Sequence, residues 1–137
     1  LALGSCSEGE EVEVITIDSL KLPACDFIKA DVEGMELPVL QGAVETLRKY
    51  RPILYVENDQ AEKSQALVEW IKQQGYDLYW HKPNMYNPNN YEGLKENIFT
   101  VKQKTEKGWI ESYYVSQNML CLPIEDGIVI EGFEKVQ

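Results

Sequence analysis

The sequence predicts an α/β fold in which parallel strands alternate with helices. Residues 26–30 and 53–56 are short, mostly apolar runs, which is typical of strands buried on both faces. After each run, apolar residues recur at helical spacing. The first run ends abruptly at residues 31–34, a sequence typical of a tight turn. Strands and helices in this order predict βαβ units, in which neighbouring strands are parallel.

The first half of the chain contains one further predicted strand and one long predicted helix. Residues 12–17 alternate and are β-branched, so we predict a strand there. Apolar residues spaced by 3, 4 and 3 positions predict a single helix; they are Leu37, Leu40, Val44 and Leu47. Pro38 fits the first turn of that helix, and Pro52 prevents its continuation. Gly42 lies inside it at a cost of about 1 kcal/mol relative to Ala, which close packing on the sheet would offset.

The second half begins with another predicted helix and then becomes rich in loops and strands. The helix is predicted around Leu67, Trp70 and Ile71 and ends before Gly75. Residues 82–97 are rich in Pro and Asn and predict a long loop, of the kind that is functional or disordered in compact domains. The other predicted strands are residues 76–80, 98–101, 119–122 and 128–130, with a further β region opening at Trp109.

Length and composition predict a single domain over residues 1–137, with a core over 12–123 and a tail over 124–137. The net charge of −10 argues against binding to a nucleic-acid backbone. No apolar run approaches the roughly 18 residues that span a bilayer, so we expect no membrane association. Three cysteines without metal-type spacing, and no signal peptide, predict a reduced, cytoplasmic setting. The first residue is not Met, which suggests a fragment of a longer protein.

The candidate functional residues follow the first two buried strands, because ligands of open α/β sheets bind beyond the carboxyl ends of the strands. They are Asp31, Glu33 and Gly34 after the first strand, and Glu57, Asn58 and Asp59 after the second. If these strands are parallel neighbours, their ends lie about 5 Å apart, and Asp31 and Glu57 face one crevice. Each residue alone also has a simpler interpretation, as a turn former or helix cap. Asn58 and Asp59 are predicted to cap the second helix, with Asp59 and Glu62 at capping-box spacing.

His81 is the only histidine, and it follows a predicted strand, so it is either a general base or incidental. Aromatic residues around the long loop are either the walls of a substrate pocket or anchors of the loop; they are Trp80, Tyr86, Tyr91 and Trp109. The sequence has no GxGxxG element and no phosphate-binding loop of the Walker type.

Several stretches resemble the FkbM-type methyltransferases. The most specific is CDFIKADVEGME at residues 25–36, which is similar to the family's FIKIDVEGxE pattern. Around it, TIDSL at 16–20, VLQGA at 39–43 and RPILYVE at 51–57 resemble further elements of the family. The closing part of the family is matched by ENIF at 96–99 and NMLCLP at 118–123. The resemblance covers most of residues 12–123.

The resemblance implies a class I, Rossmann-like methyltransferase fold with strand order 3-2-1-4-5-7-6. On that mapping strands four to seven are residues 27–30, 53–56, 76–80 and 119–122, the last of them antiparallel. The family's cofactor is S-adenosylmethionine, and its acceptor is a hydroxyl oxygen of a sugar or natural product. The Gly-rich loop and the ribose-binding acidic residue have no counterpart here, so we expect the N-terminal, cofactor-binding half of the fold to be missing.

Asp31, Glu33 and Gly34 would then border the methionine end of the cofactor. The fourth strand would have an unpaired edge, and we expect the chain to self-associate through it.

Within this interpretation Glu57 or Asp31 takes the proton of a small-molecule hydroxyl acceptor, with His81 as a third candidate. A variant of the hypothesis adds Mg²⁺, held by Asp31, Glu57 and Asn58 as in some catechol-type O-methyltransferases. The alternative for this chain is a non-catalytic α/β binding or assembly module. A metal-dependent hydrolase built on Asp31, Glu33 and Glu57 is a further alternative, although a single histidine argues against a zinc site.

Overall fold

The structure, a computed structural model, describes residues 10, 12–106 and 108–137. Its elements are β1 Phe27–Ala30, α1 Glu36–Gln41, α2 Val44–Tyr50, β2 Ile53–Glu57, α3 Ala61–Gln73, β3 Tyr76–His81, β4 Thr100–Thr105, β5 Gly108–Tyr113 and β6 Asn118–Pro123. Short 3₁₀ turns cover Asp18–Leu20 and Ile124–Asp126. No helix in the described part of the chain has the length and apolar character needed to cross a bilayer.

The main sheet is mixed and has the strand order β1-β2-β6-β3. β1 and β2 are parallel, with Ala30 opposite Val56. β6 lies between β2 and β3 and is antiparallel to both. The prediction of an α/β fold is therefore confirmed. β4 and β5 form a separate antiparallel hairpin.

The helices cover one face of the sheet and bury its core there. Alternate strand residues point into this layer and are buried; they include Ile28, Leu54, Val56, Leu78, Met119 and Cys121. Leu40, Leu47 and Ile71 of the three helices pack against them. Helices of six and seven residues, such as α1 and α2, are too short to be stable alone. Each buried Leu or Ile contributes about 1.5–3 kcal/mol, so packing on the sheet holds these helices in place.

The strand predicted for residues 12–17 is wrong. This segment has no strand structure, and Val12 and Val14 are 75% and 92% exposed. Alternation alone does not make a strand, because the backbone hydrogen bonds must come from a neighbouring strand. The segment instead brings Asp18 to the start of α2, where its carboxylate accepts the N–H groups of Glu45 (3.0 Å) and Thr46 (2.8 Å).

The single helix predicted across Gly42 is also wrong, because the structure has two helices, α1 and α2, separated at Gly42 and Ala43. The carbonyl of Gly42 accepts the N–H of Asp18 at 2.9 Å. A Cβ added to Gly42 would lie 3.3 Å from Thr16. The glycine thus packs closely on the segment that precedes β1, not on the sheet.

The end of the chain forms no strand at residues 128–130, contrary to the prediction. Residues further on instead extend the sheet beside β3. Trp80 N–H donates to the Glu134 carbonyl, and Val136 N–H donates to the Leu78 carbonyl, both at 2.8 Å. Val136 is 7% exposed and belongs to the core. The predicted strand at residues 98–101 starts later, because β4 begins at Thr100.

Tyr76 offers a direct test of the core. Its hydroxyl is buried and has no hydrogen-bond partner among the described residues, and burial raises its pKa to about 12. We expect Tyr76→Phe to raise the free energy of unfolding by about 1 kcal/mol, because it removes an unsatisfied buried group. Tyr50→Phe is the matched control: the Tyr50 hydroxyl donates to the Leu22 carbonyl at 2.6 Å, so this variant should be less stable. Urea denaturation measures both, and a destabilised Tyr76→Phe would contradict the expectation.

Candidate functional site

The carboxyl ends of β1 and β2 carry an acidic pair. Because Ala30 lies opposite Val56 in the parallel ladder, the residues that follow, Asp31 and Glu57, lie side by side at one edge of the sheet. The two carboxyl groups lie close enough for each to shift the pKa of the other. The structure therefore brings together the two acidic residues that the sequence placed at neighbouring strand ends.

The two carboxyl groups differ in proton affinity. Burial, together with the negative charges of Asp59, Asp31 and Glu36, raises the pKa of Glu57 to about 7. The pKa of Asp31 is lowered, chiefly by its hydrogen bond from Lys29, whose Nζ lies 2.7 Å from Asp31 Oδ2. At neutral pH Asp31 is therefore ionised, while Glu57 is present in both its protonated and its deprotonated form. A carboxyl group with a pKa near the working pH is suited to general acid–base chemistry.

A tight turn follows Asp31 and is fixed by a buried carboxylate. Glu33 and Gly34 both have positive φ, 53° and 88°, and the N–H of Met35 donates to the Val32 carbonyl at 3.3 Å. Glu36 is 6% exposed, and its Oε1 accepts the N–H groups of Val32 (3.0 Å) and Gly34 (3.1 Å). Sequence reasoning missed this role of Glu36. The signal was its spacing in the DVEGME stretch, two residues after the glycine.

Gly34 is required by its backbone and by its surroundings. Residues with a side chain rarely adopt its φ of +88°. A Cβ there would come within 2.5 Å of the side chains of Gln60 and Lys63, and Lys63 Nζ donates to the Gly34 carbonyl at 3.0 Å. The turn is thus packed against the start of α3. The space at Gly34, which was predicted to border a cofactor, is filled by the chain's own side chains.

Asn58 does not join the acidic pair. It is buried, its side-chain Nδ2 lies 3.2 Å from Met119 Sδ, and its N–H donates to the Gln117 carbonyl at 2.7 Å. Met119 lies on the core face of the sheet, whereas Glu57 points to the other face. The predicted Mg²⁺ set of Asp31, Glu57 and Asn58 is therefore not assembled. In the described part of the chain no three His, Cys, Asp or Glu side chains are grouped to hold a metal, so the metal-dependent hydrolase has no support either.

The predicted helix caps at Asn58 and Asp59 are wrong. α3 begins at Ala61 with Gln60 as its N-cap residue, and no side chain makes a capping hydrogen bond there. Asp59 is exposed. Its position one residue before the cap leaves its charge beside Glu57, where it helps to raise the pKa of that carboxyl group.

His81 lies at the same edge of the sheet but does not touch the acidic pair. Asn118 of β6 is paired with Glu57 on one side and with His81 on the other. The Cα atoms of Glu57 and His81 are therefore two strand spacings, or about 10 Å, apart. His81 Nδ1 is 2.8 Å from the hydroxyl of Tyr55, and its ring packs on Phe133 with centroids 5.5 Å apart.

Tyr55 and Lys29 are members of this edge that sequence reasoning missed. Side chains alternate along a strand, so Tyr55 shares a face with Glu57, and its register partner Lys29 shares a face with Asp31. Burial raises the pKa of Tyr55. The Asp31 and Glu57 carboxylates raise the pKa of Lys29, the hydrogen bond to Asp31 being the largest cause. The alternation of side chains along each strand was the signal that could have placed Tyr55 and Lys29 on the same face as the acidic pair.

The sequence matches one family model, described as the methyltransferase FkbM domain, over residues 4–78. The match covers more than half of the 137 residues. It includes the acidic pair and the turn after β1, and it ends before His81. Searches among curated proteins and solved structures returned no match.

Proposed function

This chain belongs to the FkbM methyltransferase family, and we propose that it is part of an S-adenosylmethionine-dependent enzyme that methylates a hydroxyl oxygen of a small molecule. The observation that carries this proposal is the Asp31–Glu57 pair. It lies beyond parallel strand ends, where α/β enzymes bind their ligands, and Glu57 has a pKa of about 7. Methylation of a hydroxyl group needs a group that accepts its proton at this pH.

We further propose that the main sheet corresponds to strands four, five, seven and six of a class I methyltransferase fold. The order β1-β2-β6-β3 and the antiparallel β6 support this correspondence. The helices of the described chain cover only one face of the sheet. On the other face Phe27 is 55% exposed, and Lys29 is exposed as well.

The acidic residues at the carboxyl ends of β1 and β2, here called the acidic edge, carry a negative charge that favours binding of a sulfonium cofactor. Asp31, Asp59 and the deprotonated form of Glu57 place negative charge beside the strand ends, and this charge attracts a positively charged sulfur. When bound, S-adenosylmethionine supplies a methyl group that passes to the acceptor oxygen as the sulfur–carbon bond breaks. Asp31 and Glu33 are proposed to border that cofactor through the turn, whose shape Glu36 maintains, whereas Gly34 packs against the start of α3.

In this proposal Glu57 accepts the proton that the acceptor hydroxyl loses as its oxygen–methyl bond forms. Asp31 lies beside Glu57 and its negative charge helps to raise the pKa of Glu57, while the hydrogen bond from Lys29 lowers the pKa of Asp31 and keeps it ionised. Tyr55 is a further hydrogen-bonding group on the same face as Glu57. His81 orients Tyr55 rather than acting on the acceptor.

Binding and transfer test the proposal directly. Isothermal titration of S-adenosylmethionine into the longest natural protein that contains this chain should show binding. A labelled methyl group should then appear on a hydroxylated acceptor. The 137-residue chain is assayed in parallel. Failure of the longer protein to bind S-adenosylmethionine at millimolar concentration would overturn the proposal.

A second proposal concerns the outer edge of β1. Among the described residues β1 pairs only with β2, which leaves a row of backbone N–H and C=O groups able to recruit another strand. We propose that two copies of the chain associate through this edge. If they associate and S-adenosylmethionine does not bind, an assembly module is the function that the chain itself supports.

We expect Phe27→Lys to weaken this self-association about tenfold or more, because edge lysines oppose strand pairing. Sedimentation equilibrium of the purified chain measures the dimer constant. Val129→Lys changes another exposed apolar residue, 76% exposed, and should leave the constant unchanged. A parent chain that stays monomeric at high concentration would refute the association.

A further inference from the structure

The segment between β3 and β6 leaves and rejoins the sheet at the acidic edge. β3 ends at His81 and β6 begins at Asn118, which is in register with Glu57. The two ends of the segment are tied together, since Ser116 N–H donates to the Pro83 carbonyl at 3.0 Å. Met85 and Tyr114 are joined in the same way at 3.2 Å. The described residues from 82 to 106 and from 108 to 117 therefore form a unit that begins and ends beside the candidate site.

Part of this unit is a loop that is held in shape by its own side chains. The Asn90 side chain donates to the Leu94 carbonyl at 2.8 Å and accepts the Leu94 N–H at 2.9 Å. It also donates to the Asn87 carbonyl at 2.9 Å. The Tyr86 hydroxyl donates to the Leu94 carbonyl at 2.9 Å. These hydrogen bonds connect Tyr86, Asn87, Asn90 and Leu94 and so form a closed loop.

This closed loop and the residues after it border an open, apolar cavity of about 280 Å³. Met85, Tyr91, Leu94, Ile98 and Phe99 supply most of its walls. Tyr91 and Ile98 are 100% and 68% exposed, and contiguous exposed apolar side chains around a hollow are typical of a binding site. Two of the aromatic residues singled out in the sequence, Tyr86 and Tyr91, line this cavity. Trp80 lies elsewhere, beside α3, and the side chain of Trp109 is outside the described part.

The charge at the cavity selects among ligands. Glu92 and Glu96 line it, and no Lys or Arg does so within the described loop. Anionic ligands such as phosphates or carboxylates are therefore repelled. An engineered cavity of about 150 Å³ holds one benzene ring, so a space of about 280 Å³ accommodates roughly two fused rings.

We propose that this cavity binds the neutral, apolar ring system of the methyl acceptor. This inference rests on the proposed methyltransferase function for the identity of the ligand as an acceptor. It favours a hydroxylated aromatic or polycyclic compound over a free sugar.

Isothermal titration of 2-naphthol into the 137-residue chain measures binding to the cavity without any cofactor. Ile98→Asp places a charge in the wall at an exposed position and should weaken binding about tenfold or more. Val129→Asp, a matched apolar-to-acid change outside the cavity, should not alter it. Naphthalene-2-sulfonate, with the same rings and a negative charge, should bind at least about tenfold more weakly than 2-naphthol. Absence of 2-naphthol binding, or equal binding by the Ile98→Asp variant, would overturn the inference.

Two results separate this inference from the proposed function. If 2-naphthol binds with the predicted dependence on Ile98 but the longer protein transfers no methyl group, the cavity stands and its role as an acceptor site falls. If methyl transfer occurs and Ile98→Asp affects neither binding nor transfer, the cavity proposal fails alone.

Discussion

Replacing Glu57 by Gln should lower the methyl-transfer rate of the full protein by about 10²–10⁴-fold, the range typical for loss of a general base. The amide has nearly the same shape, so the loss reports proton transfer and not a change of fold. Glu62→Gln, at an exposed position in the first turn of α3, is the control and should keep the full rate. A Glu57→Gln enzyme that retains more than about a tenth of the parent rate would exclude Glu57 as the base.

The pH dependence follows from the raised pKa of Glu57. The base must be deprotonated, so the rate should rise with pH up to about 7 and level off above it. Asp31→Asn removes one of the charges that raise this pKa, so the inflection should move to lower pH. An inflection that stays in place in Asp31→Asn would show that the pair is not coupled.

The raised pKa of Glu57 also makes the free energy of unfolding depend on pH. The folded protein binds this proton more tightly than the unfolded chain, whose Glu has a pKa near 4.5. The Glu57 contribution is therefore most favourable below pH 4.5 and is lost as the pH rises through about 7. Glu57→Gln should then be more stable than the parent at pH 8, by on the order of 1 kcal/mol because partial exposure screens the charge. This gain should vanish near pH 4.

Arg51→Ala should lower the free energy of unfolding by about 3 kcal/mol. The guanidinium group donates to the carbonyls of Gln74 (2.9 Å) and Gly75 (2.8 Å) at the end of α3. It also forms a two-pronged bond with Glu125 and stacks on Tyr76 at 4.5 Å. Its loss leaves the Gln74 carbonyl without this donor, removes one of two donors to the Gly75 carbonyl, which keeps the N–H of Ile124, and breaks a charge-assisted pair; interactions of these kinds are worth about 1–3 kcal/mol each.

Urea denaturation of the purified chain measures this loss. Arg48→Ala removes an exposed arginine from the same helix and should change the stability by less than about 0.5 kcal/mol. Arg51→Lys keeps the charge but loses the two-pronged geometry, so it should fall between the two. A decrease of less than about 1 kcal/mol in the free energy of unfolding of Arg51→Ala would show that the contacts of this arginine do not stabilise the packing of the elements around it.

Local patterns in the sequence were sufficient where the structure depends on local periodicity. The apolar runs identified β1 and β2, and the spacing of Leu67, Trp70 and Ile71 identified α3. The failures are non-local. Gly42 interrupts the predicted helix because its carbonyl bonds to Asp18, 24 positions away in the chain. The alternating residues at 12–17 had no partner strand, which no local pattern reveals.

The family, the alternation of strands and helices, and the two acidic strand ends could all be predicted before the structure was known. These features depend on residue type and short-range spacing, which the covalent chain carries directly. The contacts between side chains depend instead on the tertiary structure, which brings together Lys29 with Asp31, Tyr55 with His81, and Glu36 with the turn. The tertiary structure also sets the proton affinity of Glu57, because a pKa depends on burial and on charges that folding brings together. The same holds for the apolar cavity at residues 85–99, whose walls face one another only after the loop has closed.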